Sequence, residues 1–256
     1  MDIMNLYKLP IIKRLIPSIR KNIRLIFRKH IFWANIDGVK YLLDIRQKQD
    51  REFYFKQEYE TENFNFIFKN EFFKKPFVFI DIGSNIGIYT LVIGKKFKNC
   101  KKIISFEPIL HSFKTLSLNV KVNKIDNITS LLNFALSNED GITKMGSFSR
   151  NRQIQLSKFE INKEGDIDVQ TKIFDKLFKF EKEYIFIKCD VEGHEYKIID
   201  GMRNTLKNNS CLLQIEIFNK NYKQTSSILN ELNYKKIDIN SQGNVSFFFS
   251  KSANTA

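Results

Sequence analysis

The sequence predicts an α/β protein built on a mostly parallel sheet with helices on both faces, and three observations carry that prediction. Apolar runs of strand length alternate with amphipathic runs of helix length from residue 77 to residue 232, the rhythm of a doubly wound sheet. The first run, Phe77-Val78-Phe79-Ile80, is β-branched and aromatic without polar alternation, as in a strand buried on both faces. It ends in Asp81-Ile82-Gly83-Ser84-Asn85-Ile86-Gly87, a glycine-bearing loop that opens a helical segment. Gly83 and Gly87 admit φ > 0, which would let backbone N–H groups approach a ligand at the positive end of that helix.

The elements follow in order. Residues 31–36 and 39–45 flank Asp37-Gly38, a type I′ hairpin signal, and a helix through Phe64, Ile67, Phe68 and Phe72 leads to Pro76. Core strands and helices are predicted at 77–82, 86–97, 102–106, 109–122, 128–135, 184–189, 195–207, 211–217 and 222–232. Between Gly141 and Glu183 the rhythm gives way to short β-prone pieces, 143–148 and 168–174, the best candidate for a substrate-facing elaboration. Residues 234–239 and 245–249, joined by Ser241-Gln242-Gly243-Asn244, predict a closing antiparallel hairpin. A chain of 256 residues can bury one full core. The expected division is a basic amphipathic helical extension over 1–30 and one domain over 31–256. Within that domain, 31–75 is an N-terminal hairpin and helix, and 76–256 is a cofactor-binding core.

The net charge of +14 is unevenly spread. Before Asp37 stand Lys8, Lys13, Arg14, Arg20, Lys21, Arg24, Arg28 and Lys29 against Asp2, so eight minus one gives +7, half of the excess. In the same segment Leu9, Ile12, Ile16, Ile19, Ile23 and Ile26 recur at intervals of three and four, one helical stripe that Pro17 kinks. Two readings stay open for residues 8–29: peripheral contact with an anionic membrane, or packing on protein, including a second subunit in a homo-oligomer. No run approaches the roughly 18 apolar residues that a span needs, and a signal peptide's uncharged apolar region is missing. Cys100, Cys189 and Cys211 lack metal-ligand spacing. The expected location is therefore cytoplasmic, with the inner membrane face as the peripheral alternative.

A second carboxylate closes the next apolar run, Ile103-Ile104-Ser105-Phe106-Glu107-Pro108, one βα unit downstream of the loop, where it can accept both hydroxyls of a ribose. The dinucleotide pattern G-x-G-x-x-G is not met, because Asn85 stands where its middle glycine would be and a pyrophosphate would lose its close backbone approach. S-adenosylmethionine carries no phosphate and offers an ammonium that Asp81 can meet. It is favoured over NAD on that ground.

Here a resemblance becomes specific. The blocks Asp81-Ile82-Gly83-Ser84-Asn85-Ile86-Gly87-Ile88-Tyr89-Thr90, Phe106-Glu107-Pro108, Asn119 with Asn123, Ala135-Leu136-Ser137-Asn138 and Ile187-Lys188-Cys189-Asp190-Val191-Glu192-Gly193-His194-Glu195 occur in this order, followed by Gly201 and Ile215-Glu216. Together they resemble the FkbM family of S-adenosylmethionine-dependent methyltransferases over residues 38 to 220. The departures are Ser84, where the family usually has alanine, and Cys189. The resemblance implies a Rossmann-like class I methyltransferase fold with a mostly parallel seven-stranded sheet and a C-terminal antiparallel hairpin. It also implies cofactor contacts at Asp81, Gly83, Asn85, Gly87, Tyr89, Thr90, Glu107, Pro108, Ser137 and Asp190.

Asp190, Glu192, His194 and Glu195 crowd the end of the fourth core strand, beyond which ligands of open α/β sheets sit. Methyl transfer to a hydroxyl needs a base for the proton, and His194 and then Glu192 are the candidates, with Asp190 orienting the loop or meeting the cofactor's amino-acid end. A neighbouring carboxylate is expected to raise the pKa of His194 and fix its tautomer. Carboxylates here could also hold a divalent cation, but the spacing matches no dedicated loop, and three histidines make a zinc cluster a poor reading. No metal is assigned. The Asn/Asp-Pro-Pro-Tyr block of many base-nitrogen methyltransferases is absent after that strand, so oxygen is the expected acceptor. The resemblance implies a hydroxyl on a sugar of a cell-surface glycan or its precursor, or on another small molecule.

Two other classes compete. An RNA methyltransferase would suit the charge, but the excess lies at the N-terminus and no RNA-recognition motif is present, so nucleic acid is disfavoured as a partner. A non-catalytic membrane-associated scaffold could retain the fold. Deletion of residues 1–29 should leave cofactor affinity unchanged while reducing sedimentation with anionic vesicles. A truncated protein that turns insoluble or changes oligomeric state would make the stripe a protein interface instead.

Overall fold

The computed structural model describes residues 30–55, 60–147, 159–161, 165–217, 221–237 and 245–250. The basic stripe over 8–29 and the joining residues 241–244 lie outside them. Two compact units divide the chain between Tyr59 and Glu60.

In the first unit β1 (Ile31–Ile36) and β2 (Val39–Asp44) form the hairpin that Asp37-Gly38 predicts. Both turn residues have positive φ, 51° and 80°, as a type I′ turn requires. A helix, α1 (Lys48–Phe55), follows, and its Asp50 accepts the Asp44 backbone N–H at 2.7 Å.

The second unit opens with α2 (Thr61–Lys69) and a 3₁₀ turn over Glu71–Lys74. Then come β3 (Phe77–Ile82), α3 (Ile88–Lys96), β4 (Cys100–Phe106), α4 (Leu110–Asn123) and β5 (Thr129–Leu132). After an excursion, β10 (Tyr184–Cys189), α6 (Glu195–Asp200), α7 (Arg203–Asn208), β11 (Ser210–Glu216), α8 (Tyr222–Glu231), β12 (Tyr234–Ile237) and β13 (Val245–Ser250) complete it. The seven-stranded sheet runs β12-β13-β11-β10-β3-β4-β5. It is parallel from β5 to β11, and β13 lies antiparallel between β11 and β12. The apolar pattern explains the centre. All six residues of β3 are buried, and alternate ones serve opposite faces: Val78, Ile80 and Ile82 meet Ile198, Met202 and Leu206 on one side, while Phe77 and Phe79 meet Ile67, Phe73 and Ile93 on the other.

Three details differ from the sequence reading. The strand predicted at 128–135 is two strands, because at Asn133 the chain leaves the main sheet. The Asn133 side chain donates to the carbonyls of Glu107 and Pro108 at 2.8 and 3.0 Å, and β6 (Ala135–Ser137) enters a second sheet. The excursion is itself ordered: β7 (Gly141–Ser147), β8 (Phe159–Ile161) and β9 (Ile167–Ile173) join β6 in a four-stranded sheet, order β6-β9-β7-β8, and a short α5 (Phe174–Leu177) follows. The helix predicted at 195–207 is broken between α6 and α7 at Gly201. A side chain there would place its Cβ 2.3 Å from the carbonyl oxygen of Ser137, so only glycine lets this corner seat against the end of β6. Among the described residues no helix is long and apolar enough to cross a membrane.

Phe186 in β10 is fully buried, stacked on Phe79 at 5.0 Å between centroids and edge-on to Phe73 at 5.1 Å. Phe186→Ala should lower unfolding free energy by about 3–5 kcal/mol, read as a fall in the urea midpoint at unchanged m-value.

Candidate active site

The loop between β3 and α3 is set by its own hydrogen bonds. Gly83 and Ser84 N–H both donate to the Phe106 carbonyl at 3.0 Å, Gly87 N–H donates to the Ser84 carbonyl at 2.8 Å, and Asn85 N–H donates to Glu107 Oε2 at 2.8 Å. This corrects the expectation that the loop offers its amides to a ligand: four of them are spent inside the protein, leaving those residues no cradle for a pyrophosphate. Asn119 on α4 donates to the Ile86 carbonyl at 2.9 Å and so ties the loop to that helix. Gly83 has φ 75°, and a Cβ there would lie 2.0 Å from the Asp190 carbonyl oxygen, so the loop packs directly on the end of β10.

Beneath the loop lie two buried carboxyl groups. Asp81 Oδ2 accepts from Thr90 N–H at 3.1 Å and Thr90 Oγ1 at 2.6 Å, while its Oδ1 has no partner. Burial raises its pKa against the pull of Lys188 and the Thr90 bonds. Thr90 is itself fully buried, its hydroxyl also 2.7 Å from Ser105 Oγ, and it holds the Asp81 carboxyl in place. Glu107 accepts from Asn85 N–H and, through Oε1, from Ile109 N–H at 2.8 Å. Burial pushes it up to about 7, although both amide bonds favour its charged form. One acceptor direction on each Glu107 oxygen and the unpaired Asp81 Oδ1 are the donor-seeking groups that two ribose hydroxyls and an ammonium would meet, so the residues present fit S-adenosylmethionine.

Two cavities open beside this loop. One is apolar, lined by Gly83, Phe106, Pro108, Leu136, Val191 and His194 among others. His194 caps the start of α6, and its Nε2 lies 3.1 Å from Ser137 Oγ. The expected rise in its pKa does not occur: burial lowers it to about 4, Lys197 acts in the same direction, and Glu139 opposes more weakly. The other cavity is polar, about 110 Å³, and lined by Glu60, Lys188, Asp190, Gln214 and Glu216 with Cys189 and Val245. Lys188 Nζ lies 3.0 Å from Asp190 Oδ2 and 3.5 Å from the Gly83 carbonyl. Tyr89 places its ring under Lys188, 5.3 Å from the ammonium, and its hydroxyl between Glu60 and Gln214. Burial, then Asp190, push Glu216 up to about 9, so that the two carboxyl groups hold one proton between them. Glu192, at φ 55°, adds charge from the following turn.

The structure thus brings Asp190 to the polar cavity and His194 to the apolar one. Sequence reasoning missed Glu60, Gln214 and the part of Lys188. The available signal was a polar residue inside an apolar strand, Ile187-Lys188-Cys189 and Leu213-Gln214-Ile215, since a residue buried there must find a partner. Among the described residues no group of three or more His, Cys, Asp or Glu is arranged to hold a metal ion.

Strand order and loop define a Rossmann-like class I methyltransferase fold, and the family match that follows makes S-adenosylmethionine its cofactor. The chain belongs to the methyltransferase FkbM domain family, whose model matches residues 81–238. A curated relative, the hexuronic acid methyltransferase AglP of Haloferax volcanii, is 27% identical over 129 residues, which are 50% of this chain and 50% of that protein. The chain therefore spans about half the length of that relative. Among solved structures, methyltransferase FkbM from Methylobacillus flagellatus aligns over 68% of this chain and 43% of its own at 16% identity and TM-score 0.49. M. jannaschii TYW2, solved in complex with AdoMet, aligns over 86% and 84% at 12% identity and TM-score 0.45.

If Glu107 holds the ribose, its ionised form is the one that accepts the hydroxyls, so binding should release a proton. With a pKa of about 7 in the free protein, affinity for S-adenosylmethionine should fall by about tenfold from pH 8 to pH 6. Calorimetry in buffers of different ionisation enthalpy reads the proton directly. Glu107→Gln should bind more weakly and flatten the profile. An unchanged profile in the variant would remove Glu107 from the ribose.

Proposed function

We propose that this protein transfers a methyl group from S-adenosylmethionine to a hydroxyl of a sugar, in a cell-surface glycan or its precursor. The observation that carries the reading is the polar cavity at the ends of β10 and β11, with the hydrogen-bonded Asp190 and Glu216 in its wall and the cofactor-binding loop packed on the Asp190 backbone. The sugar as acceptor class is supported by the relative's name.

The cofactor, when bound, supplies an electrophilic methyl on a sulfonium. Everything else falls to the chain. Asp81 and Glu107 anchor the ammonium and ribose, and the cavity of Phe106, Pro108, Leu136 and His194 takes the flat apolar adenine. The acceptor hydroxyl, on giving its oxygen to the methyl group, would pass its proton to the Asp190 carboxylate. Lys188 pairs with Asp190 at 3.0 Å and holds it in place. Glu192, one turn on, is the second candidate for the proton. His194, low in pKa and bonded to Ser137, is a poor proton acceptor near neutrality and positions the cofactor side instead.

Asp190→Asn should lower the single-turnover rate by about 10²–10⁴ with cofactor affinity little changed, whereas His194→Ala should weaken cofactor binding and leave the saturated rate within about tenfold. A large rate loss in His194→Ala at saturating cofactor would return the base to that histidine. Calorimetric titration with S-adenosylmethionine separates this reading from a non-catalytic scaffold. Glycan and metabolite extracts compared with and without the gene, read for loss of one methyl group, identify the acceptor.

A further inference from the structure

Four of the five polar side chains that line the polar cavity, Glu60, Asp190, Gln214 and Glu216, carry acceptor oxygens. Tyr89 has one hydroxyl proton, and Glu60 Oε2 takes it. The same hydroxyl therefore accepts from Gln214 Nε2 at 2.6 Å, which fixes the amide orientation and leaves Gln214 Oε1 on the other side. That oxygen is buried without a donor, on a residue only 2% exposed that lines the cavity. The proton that Glu216 and Asp190 hold lies between the two. What remains for an occupant is the unpartnered Gln214 Oε1, flanked by the carboxyl oxygens of Glu60 and Asp190, which have room for further donors.

Charge points the same way. Three carboxyl groups, Glu60, Asp190 and Glu216, line the cavity, and Glu192 acts on it from the next turn. The one cation among its described lining residues is Lys188, 8% exposed and engaged with Asp190 and the Gly83 carbonyl. A carboxylate brought in by a ligand would set further acceptors against the acceptor oxygens of the wall, beside like charge.

We propose that this cavity takes an uncharged sugar ring through at least two of its hydroxyls and excludes a hexuronate. The inference rests on the methyl-transfer reading above and narrows its acceptor. It departs from the acceptor in the name of the Haloferax relative. Selection follows from pairing: a buried acceptor met by a hydroxyl is satisfied, and one faced with a carboxylate is not.

The test uses the full chain saturated with S-adenosylhomocysteine, in saturation-transfer difference NMR with the methyl glycosides of glucose, galactose and mannose and with the matching uronides. At least one neutral glycoside should bind at millimolar concentration, about tenfold or more tighter than its uronide. Gln214→Leu, close in volume, should abolish that signal with S-adenosylhomocysteine affinity unchanged. Glu60→Lys should shift the preference toward the uronide. Uronides binding as well as or better than neutral glycosides, no glycoside signal at all, or a signal indifferent to both substitutions would each overturn the proposal. With cofactor binding intact, those results leave the methyltransferase reading standing. Failure to bind S-adenosylhomocysteine takes both down.

Discussion

Lys188 is a buried ammonium in the middle of a parallel sheet, and the site is organised around it. Its charge acts on Asp81, Glu107 and Glu216 and is paired with Asp190. Without it the strand ends of β3, β4, β10 and β11 would present several carboxyl groups to one another in a water-poor space. Removing one partner of a buried pair typically costs about 3–5 kcal/mol, because the other is left charged and unmatched. The same side chain reaches the Gly83 carbonyl, so electrostatic balance and loop position are one constraint. The stem of Lys188 packs where a β-branched residue would otherwise sit, with Tyr89 beneath the ammonium.

From that constraint the loop follows. Its amides turn inward to the Phe106 carbonyl and Glu107, which is possible because the occupant brings no phosphate to claim them. Sequence reasoning reached a phosphate-free cofactor from the glycine missing at Asn85, and the hydrogen bonds give the physical reason: Asn85 in the left-handed region, φ 50°, aims its N–H at Glu107. In the proposed mode of binding, a cofactor with ribose and ammonium meets carboxyl oxygens rather than backbone N–H groups, the reverse of the dinucleotide arrangement.

The sheet was legible in the sequence because a strand buried on both faces leaves a continuous apolar run, as in Phe77–Ile80 and Ile185–Ile187. The hairpin at Asp37-Gly38 was legible because few residues tolerate its φ values. What escaped depends on contacts distant in sequence. Asn133 leads the chain out of the main sheet only because the carbonyls of Glu107 and Pro108 stand where its amide can reach them. Gly201 breaks a helix because Ser137 lies against it. His194 and Asp190 sit four residues apart and were read as one cluster, yet the turn through Glu192 and Gly193, both at positive φ, sends them to different cavities.

That separation decides the proton chemistry. Burial drives titratable groups toward their neutral forms, which lowers His194 and raises Glu216. Both therefore stand uncharged near pH 7, one as an imidazole against a hydroxyl and the other as a carboxylic acid bonded to Asp190. Asp190 is set apart from them by Lys188, whose ammonium compensates its charge at 3.0 Å. A carboxylate at the edge of a polar cavity, bonded to a second carboxyl group that can share what it receives, is placed to take a hydroxyl proton. In this reading the unreactive-looking pair of Lys188 and Glu216 makes Asp190 usable as a base, and the histidine that the motif brings forward is left to hold the cofactor.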